Sequence, residues 1–185
     1  MKIAPEIIEQ TCPETEVYHR LLALDGKHIL ELGCGNADIT RDIATAGPGR
    51  TITALEVDRI AHEQNLQITD LPNVTFGLGG AEAIPLETGS VDVVFMFKSL
   101  HHVPVDKMDQ SLHEIQRVLK PAGMAYISEP IYAGDFNEIL RQFHQRPEPV
   151  TVDTEILTGI ARVELTKIIF CKLFDFTGQK TTAQR

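Results

Sequence analysis

The chain is poor in basic residues: 17 Lys and Arg stand against 26 Asp and Glu, a formal charge of −9. No run of Lys and Arg offsets this, so a surface that grips phosphate backbones or anionic lipid is not expected, and no nucleic-acid partner is inferred. Cysteine is scarce. Cys12, Cys34 and Cys171 are odd in number, widely spaced and without a CxxC pair, which excludes a disulfide framework or a zinc knuckle and suits reduced thiols in a cytoplasmic setting. No stretch approaches the roughly 20 apolar residues of a membrane span. The first residues, MKIAPEIIEQTCPETE, carry several acids and no long apolar core, so they do not read as a secretory signal. Tryptophan, internal repeats, low-complexity segments, a GxSxG elbow and a P-loop are all missing. The seven histidines lack metal-ligand spacing, and no metal site is expected.

What remains is the composition of a soluble globular protein, 43% apolar and 23% charged, long enough for one domain with a sizeable core. Strand-like and helix-like stretches alternate. Lys27–Leu32, Thr51–Val57, Val74–Leu78, Val91–Met96 and Ala125–Ser128 read as strands, and Val91–Met96 is apolar enough for a central parallel strand. Asp38–Ala46, with Asp38 as its cap, Asp58–Thr69 and Asp106–Lys120 read as helices. Phe136–Gln145 reads as a further helix, Arg146–Val152 as a proline-rich connector and Ile168–Thr177 as a final strand. The pattern predicts a doubly wound α/β sheet with helices on both faces and ligands beyond the carboxyl ends of the strands.

Two segments carry the chemistry. In Ile29–Thr40, ILELGCGNADIT, a strand runs into Gly33-Cys34-Gly35 before a helix starts. Glycines there let the chain bend sharply and let a ligand lie on bare main chain. Glu31 precedes the first glycine by two residues, and where a dinucleotide fingerprint has a third glycine this pattern ends in Asp38. An acid at a helix N-terminus repels pyrophosphate, so a phosphate-free cofactor carrying an ammonium and a sulfonium fits better. In the second segment, TALEVD, Glu56 ends a strand about 20 residues beyond the glycines, where a carboxylate accepts hydrogen bonds from ribose hydroxyls. Asp58 is the rival, and reads better as a helix cap.

These segments resemble the class I S-adenosylmethionine (SAM)-dependent methyltransferases, especially the branch acting on small molecules and quinones. ELGCGNA is similar to that family's first motif and ALEVD to its ribose-binding strand end. Gly79–Val103 is similar to its adenine loop and fourth strand, and Glu114–Pro130 to its next helix and strand. The resemblance covers roughly residues 15–130. It implies a Rossmann-like sheet of seven mostly parallel strands with an antiparallel last strand, in one domain over 1–185: an N-terminal helical cap (1–26), a SAM-binding core (27–130) and a shortened substrate-side region (131–185).

It further implies that Glu31, Gly33, Cys34, Gly35 and Asn36 surround the methionine part of SAM. Glu56 then holds the ribose, Val57 packs on adenine, and Gly80, Ala81 and Glu82 follow the adenine edge. Lys98 neighbours both SAM and substrate. Ala37 and Gly80 depart from the family's usual Gly and Asp. Methyl transfer to a small-molecule acceptor, yielding S-adenosylhomocysteine, is the activity implied. Lys98, His101 and His102 are its candidate proton-handling residues, Glu129 faces the same cleft, and Tyr18 is a candidate cover for SAM. The short region after Pro130 leaves open whether a homodimer or another partner completes the pocket. Two other readings stand beside this one: a non-catalytic relative that binds or regulates, and a nicotinamide-dependent oxidoreductase.

Overall fold

The computed structural model describes residues 12–130 and the strand Ile168–Leu173. In chain order the elements are α1 (Glu14–Leu21), β1 (His28–Leu32), α2 (Asp38–Thr45), β2 (Thr51–Glu56), α3 (Arg59–Asn65), β3 (Val74–Leu78), β4 (Val91–Phe97), α4 (Met108–Val118), β5 (Leu119–Pro130) and β6 (Ile168–Leu173). Two single-turn 3-10 helices, Leu100–His102 and Val105–Lys107, join β4 to α4. The strands form one sheet in the order β3-β2-β1-β4-β5-β6, and every described pair is parallel. Strand order reverses between β1 and β4, the crevice where open α/β sheets bind ligands.

Both faces of the sheet are covered, which is why β4 is buried along nearly its whole length. One face packs Val17 and Tyr18 of α1 and Ile43 and Ala44 of α2 against Ile29, Ile52, Phe95 and Tyr126. The other packs Leu112, Ile115 and Val118 of α4 against Leu30, Val94, Met96 and Ile127. Each such aliphatic side chain contributes about 1.5–3 kcal/mol by leaving water. Asp92, the one polar residue in β4, sits at the strand's amino end. It accepts from the His28 backbone N–H at 3.0 Å and from Lys120 Nζ at 2.8 Å, fastening β1 and β5 to the central strand.

Several expectations change here. The αL backbone of Ala37 (φ 62°), not the side chain of Asp38, opens α2. A left-handed alanine costs roughly 1–2 kcal/mol, which explains why glycine suits that position. Helix α3 stops at Asn65 rather than Thr69, and Asp58 caps it by accepting from the Ala61 N–H at 2.8 Å. Strand β5 starts at Leu119, earlier than Ala125. An irregular register between Val91↔Leu119 and Val93↔Met124 absorbs Pro121, which has no N–H to offer a ladder. Six strands are described rather than seven. The last of the described strands runs parallel to β5 (Ala125↔Ile168 to Pro130↔Leu173), and a seventh strand and an antiparallel ending are not seen among the described residues. The expected helix over 136–145 and the connector over 146–152 lie outside the described residues.

Candidate active site

The turn between β1 and α2 is shaped by two left-handed glycines, Gly33 (φ 77°) and Gly35 (φ 53°). The N–H groups of Gly33 and Cys34 both donate to the Leu55 carbonyl, at 2.8 and 3.1 Å, so β2 holds the turn down. Across it stands Ser99, whose hydroxyl donates to the Leu32 carbonyl at 2.8 Å. A Cβ on Gly33 would come within 2.6 Å of Ser99 Cβ. Asn65, buried at the end of α3, donates through Nδ2 to the Gly35 carbonyl at 2.8 Å. Sequence reading passed over Ser99 and Asn65, because only the folded sheet brings them to the turn.

Glu56 ends β2 directly opposite. Its Oε2 accepts from the Gly35 N–H at 2.6 Å, and its Oε1 accepts from the N–H groups of Val57 (2.8 Å) and Asp58 (2.9 Å). Three main-chain donors thus aim one carboxylate at the glycine turn. Beneath it Glu31 is fully buried. Burial pushes its carboxyl up to about 7, the Thr40 hydroxyl donating to Oε2 at 2.6 Å pulls the other way, and the Glu56 charge raises it further. The Cys34 thiol is pushed up to about 12 by burial and then by Glu31 and Glu56, so it stays an unreactive thiol.

A cavity of about 510 Å³ opens over this turn, a volume in the range of small-molecule sites. Gly33, Gly35, Glu56 and Val57 line one side, with Gly79, Gly80, Ala81 and Glu82 beyond them. Met96, Phe97, Lys98, Ser99 and His102 line the other. Val57 is 63% exposed, an apolar side chain left for a ligand to cover. A Cβ on Gly80 would strike the Glu82 carboxylate, so glycine there admits a side chain that folds over the loop. Glu31 and Cys34, both buried, and Asn36, which is exposed, are not among the residues that line it. Tyr18 packs with Phe95, Phe97 and Tyr126 and does not line the cavity, so its part is in the core.

At the β4–β5 end, Lys98 is left-handed (φ 53°) and its N–H donates to the Ser128 carbonyl at 2.7 Å. His101 stands just outside the cavity lining. Its Nδ1 lies 2.5 Å from Oε2 of Glu129, whose Oε1 accepts from the Leu100 N–H at 2.7 Å. Among the described residues no group of three or more His, Cys, Asp or Glu could hold a metal ion, and no helix is long and apolar enough to cross a membrane.

The donor set fits SAM. Glu56 and Glu82 put carboxylates on the wall, and among the described residues Lys98 is the only Lys or Arg that lines it. Asp38 in the first turn of α2 keeps anions from that helix end. Such a wall disfavours a dinucleotide's pyrophosphate and suits a cationic nucleoside.

Residues 29–123 match the methyltransferase domain family. The chain is 31% identical over 166 residues to the O-methyltransferase rstn1 of Aspergillus nomiae, covering 83% of this chain and 72% of that one. It is 31% identical over 156 residues to a phthiotriol/phenolphthiotriol dimycocerosates methyltransferase of Mycobacterium leprae, covering 78% and 56%. It spans between 36% and 56% of the length of the first curated relatives it matches. A SAM-dependent methyltransferase of Aquifex aeolicus shares the fold, with a TM-score of 0.63 over 81% of this chain and 78% of that one, at 19% identity. The matched family and the glycine-turn site together place this chain in the class I SAM-dependent methyltransferases.

Proposed function

We propose that this chain transfers a methyl group from SAM to a small-molecule acceptor by in-line displacement. One observation carries the reading: the buried Glu56 carboxylate is aimed by three main-chain N–H groups at the cavity wall beside Gly35. A carboxylate so placed accepts from vicinal hydroxyls, which is how it would hold the ribose. Gly33 and Gly35 would lie under the methionine part, Val57 against one adenine face, and Gly80, Ala81 and Glu82 along its edge. Lys98 would stand near the methionine carboxylate and the acceptor.

When bound, SAM supplies a methyl already activated on a sulfonium. The chain's task is to keep the acceptor in line, exclude water and, for an acceptor that carries a proton, take that proton up. Lys98, His101 and His102 are the groups on the acceptor side that could take it. Small-molecule methylation agrees with the names of the relatives, which include a sterol 4-C-methyltransferase of Caenorhabditis elegans.

Calorimetry with S-adenosylhomocysteine tests the site. Binding is expected, and Glu56→Ala should weaken it by roughly 1–3 kcal/mol, the cost of stranding buried hydrogen-bond partners. Unchanged affinity in the variant would take the ribose away from Glu56. Label moving from methyl-labelled SAM into a metabolite extract is expected; binding without any transfer would favour a regulatory relative. Tight NAD(H) binding with none of S-adenosylhomocysteine would favour the oxidoreductase reading.

A further inference from the structure

The chain leaves β3 beside Glu56. Leu78 pairs with Glu56 in the sheet, and the Gly79 N–H donates to the Glu56 carbonyl at 3.0 Å. The next three residues, Gly80, Ala81 and Glu82, continue the cavity wall. Glu82 turns back over Gly80: a Cβ on residue 80 would collide with Glu82 Oε2 and come within 2.9 Å of Oε1. The carboxylate therefore fills the volume that a side chain at position 80 would claim. Gly80 is not left-handed, so what bars a side chain there is this carboxylate and not the backbone. The main chain of Glu82 is fastened, with Gln110 Nε2 donating to its carbonyl at 2.8 Å. Its carboxylate is open: among the described residues neither oxygen has a hydrogen-bond or ion-pair partner. Glu56, the other carboxylate on the wall, is engaged by three main-chain N–H groups. A half-buried group that only accepts, with both oxygens free on a cavity wall, calls for a donor on the ligand.

Building on the methyltransferase reading, we propose that the Glu82 carboxylate accepts from the amino group at C6 of the nucleoside's base, and that it thereby selects adenine over a 6-oxopurine. With the sugar on Glu56 and one face of the base on Val57, the edge of the base meets Gly80–Glu82. Of these three residues only Glu82 carries a side-chain acceptor. Adenine presents a donor to it. Hypoxanthine presents a carbonyl oxygen at the same place, which sets one acceptor against another. A site built around an acceptor rejects an analogue without the donor more strongly than an apolar wall would. Glycine at position 80 is part of the device, because it gives the carboxylate its seat.

The test is calorimetry of the full chain with S-adenosylhomocysteine and with S-inosylhomocysteine, in which the amino group at C6 is replaced by a carbonyl oxygen. The wild-type chain should prefer the adenosyl compound by about tenfold or more, the worth of a hydrogen bond to a charged group. Glu82→Ala should weaken the adenosyl compound about tenfold and change the inosyl compound by no more than about twofold, so that the preference collapses. Glu82→Gln, whose amide can donate to a carbonyl as well as accept from an amine, should bring the two ligands within about threefold of each other. Gly80→Asp added to Glu82→Ala should restore a preference for the adenosyl compound, since the seat is then vacant and a carboxylate again reaches it. A wild-type chain that binds the two compounds alike overturns the proposal. So does an unchanged preference in Glu82→Ala, or an equal loss of both ligands, which is what a merely disturbed loop would give. A double variant that stays indifferent between the two overturns the role given to the seat at position 80. Failure of the wild-type chain to bind either compound would instead overturn the underlying methyltransferase reading.

Discussion

On the β1–β2 side of the cleft, main chain shapes the wall. Gly33 and Gly35 present bare backbone, and the Glu56 side chain that ends β2 is itself held by three N–H groups. On the β4–β5 side the wall carries side chains that ionise, Lys98 and His102, with His101 on Glu129 outside the lining. The contrast matches the two tasks of the proposed reaction. A donor that never changes is best met by groups that cannot titrate or rotate, whereas an acceptor that loses a proton needs groups that can take one.

The sharpest way to break the comparison is Gly35→Val. A Cβ at Gly35 meets nothing within 4 Å, so the free protein has room for it. But φ is 53°, a conformation that costs an L-residue roughly 1–2 kcal/mol and is worse when β-branched. The side chain would also stand on the wall where a ligand must lie. Affinity for S-adenosylhomocysteine should fall at least about a hundredfold, roughly 2.7 kcal/mol, with the circular dichroism spectrum retained. Intact binding would mean that the donor does not rest on this turn.

Glu31 offers an effect of nearly that size on stability. Its carboxyl is raised from 4.5 to about 7 by burial, so the native state holds a proton that the unfolded chain releases. Stability tied to this group is fully present below pH 4.5 and is lost as pH rises through about 7. Glu31→Gln keeps an acceptor for Thr40 and removes the titration. Relative to wild type it should gain about 2–3 kcal/mol between pH 4 and pH 8, read from urea unfolding at a series of pH values. Parallel pH curves for the two proteins would show that Glu31 ionises as freely in the native state as in the unfolded one.

The same contrast explains what could be read from the sequence. The β1–turn–α2–β2 unit was legible because its signals are local: a short apolar run, two glycines, a β-branched strand and an acid at its end, all between His28 and Glu56. So were the positions of β3 and β4. The acceptor side was legible only as a set of candidates. His101 and Glu129 are separated by 28 positions and meet because the β4–β5 register sets Phe97 beside Ser128. Asn65 reaches the glycine turn over a similar distance, which asks α3 to end where it does. Ala37 was noticed as a missing glycine, but its left-handed backbone is a property of the turn and not of the residue. Strand β5 was read too short because Pro121 and Gly123 look like a break, whereas the sheet carries them in an irregular stretch.

A smaller effect separates the two sides once more. The loop carrying Gly80–Glu82 continues the wall that begins at the glycine turn, and α4 holds it from behind with charged groups. Arg117 donates to the carbonyls of Leu86 (2.8 Å) and Ile84 (2.9 Å) and pairs with Glu114, which in turn accepts from the Ile84 N–H at 2.9 Å. Gln110 donates to the Glu82 carbonyl at 2.8 Å. None of these side chains lines the cavity, so their effect on a ligand is through loop position alone. Arg117→Ala should then loosen the loop without touching the fold, weakening S-adenosylhomocysteine binding by about 1 kcal/mol, the usual worth of such hydrogen bonds. Amide exchange at Ile84 should speed up while that of Gly33, tied to Leu55 across the sheet, stays as it was. Faster exchange at Ile84 with unchanged affinity would detach this loop from the donor wall and leave the glycine turn and Glu56 to hold the nucleoside by themselves.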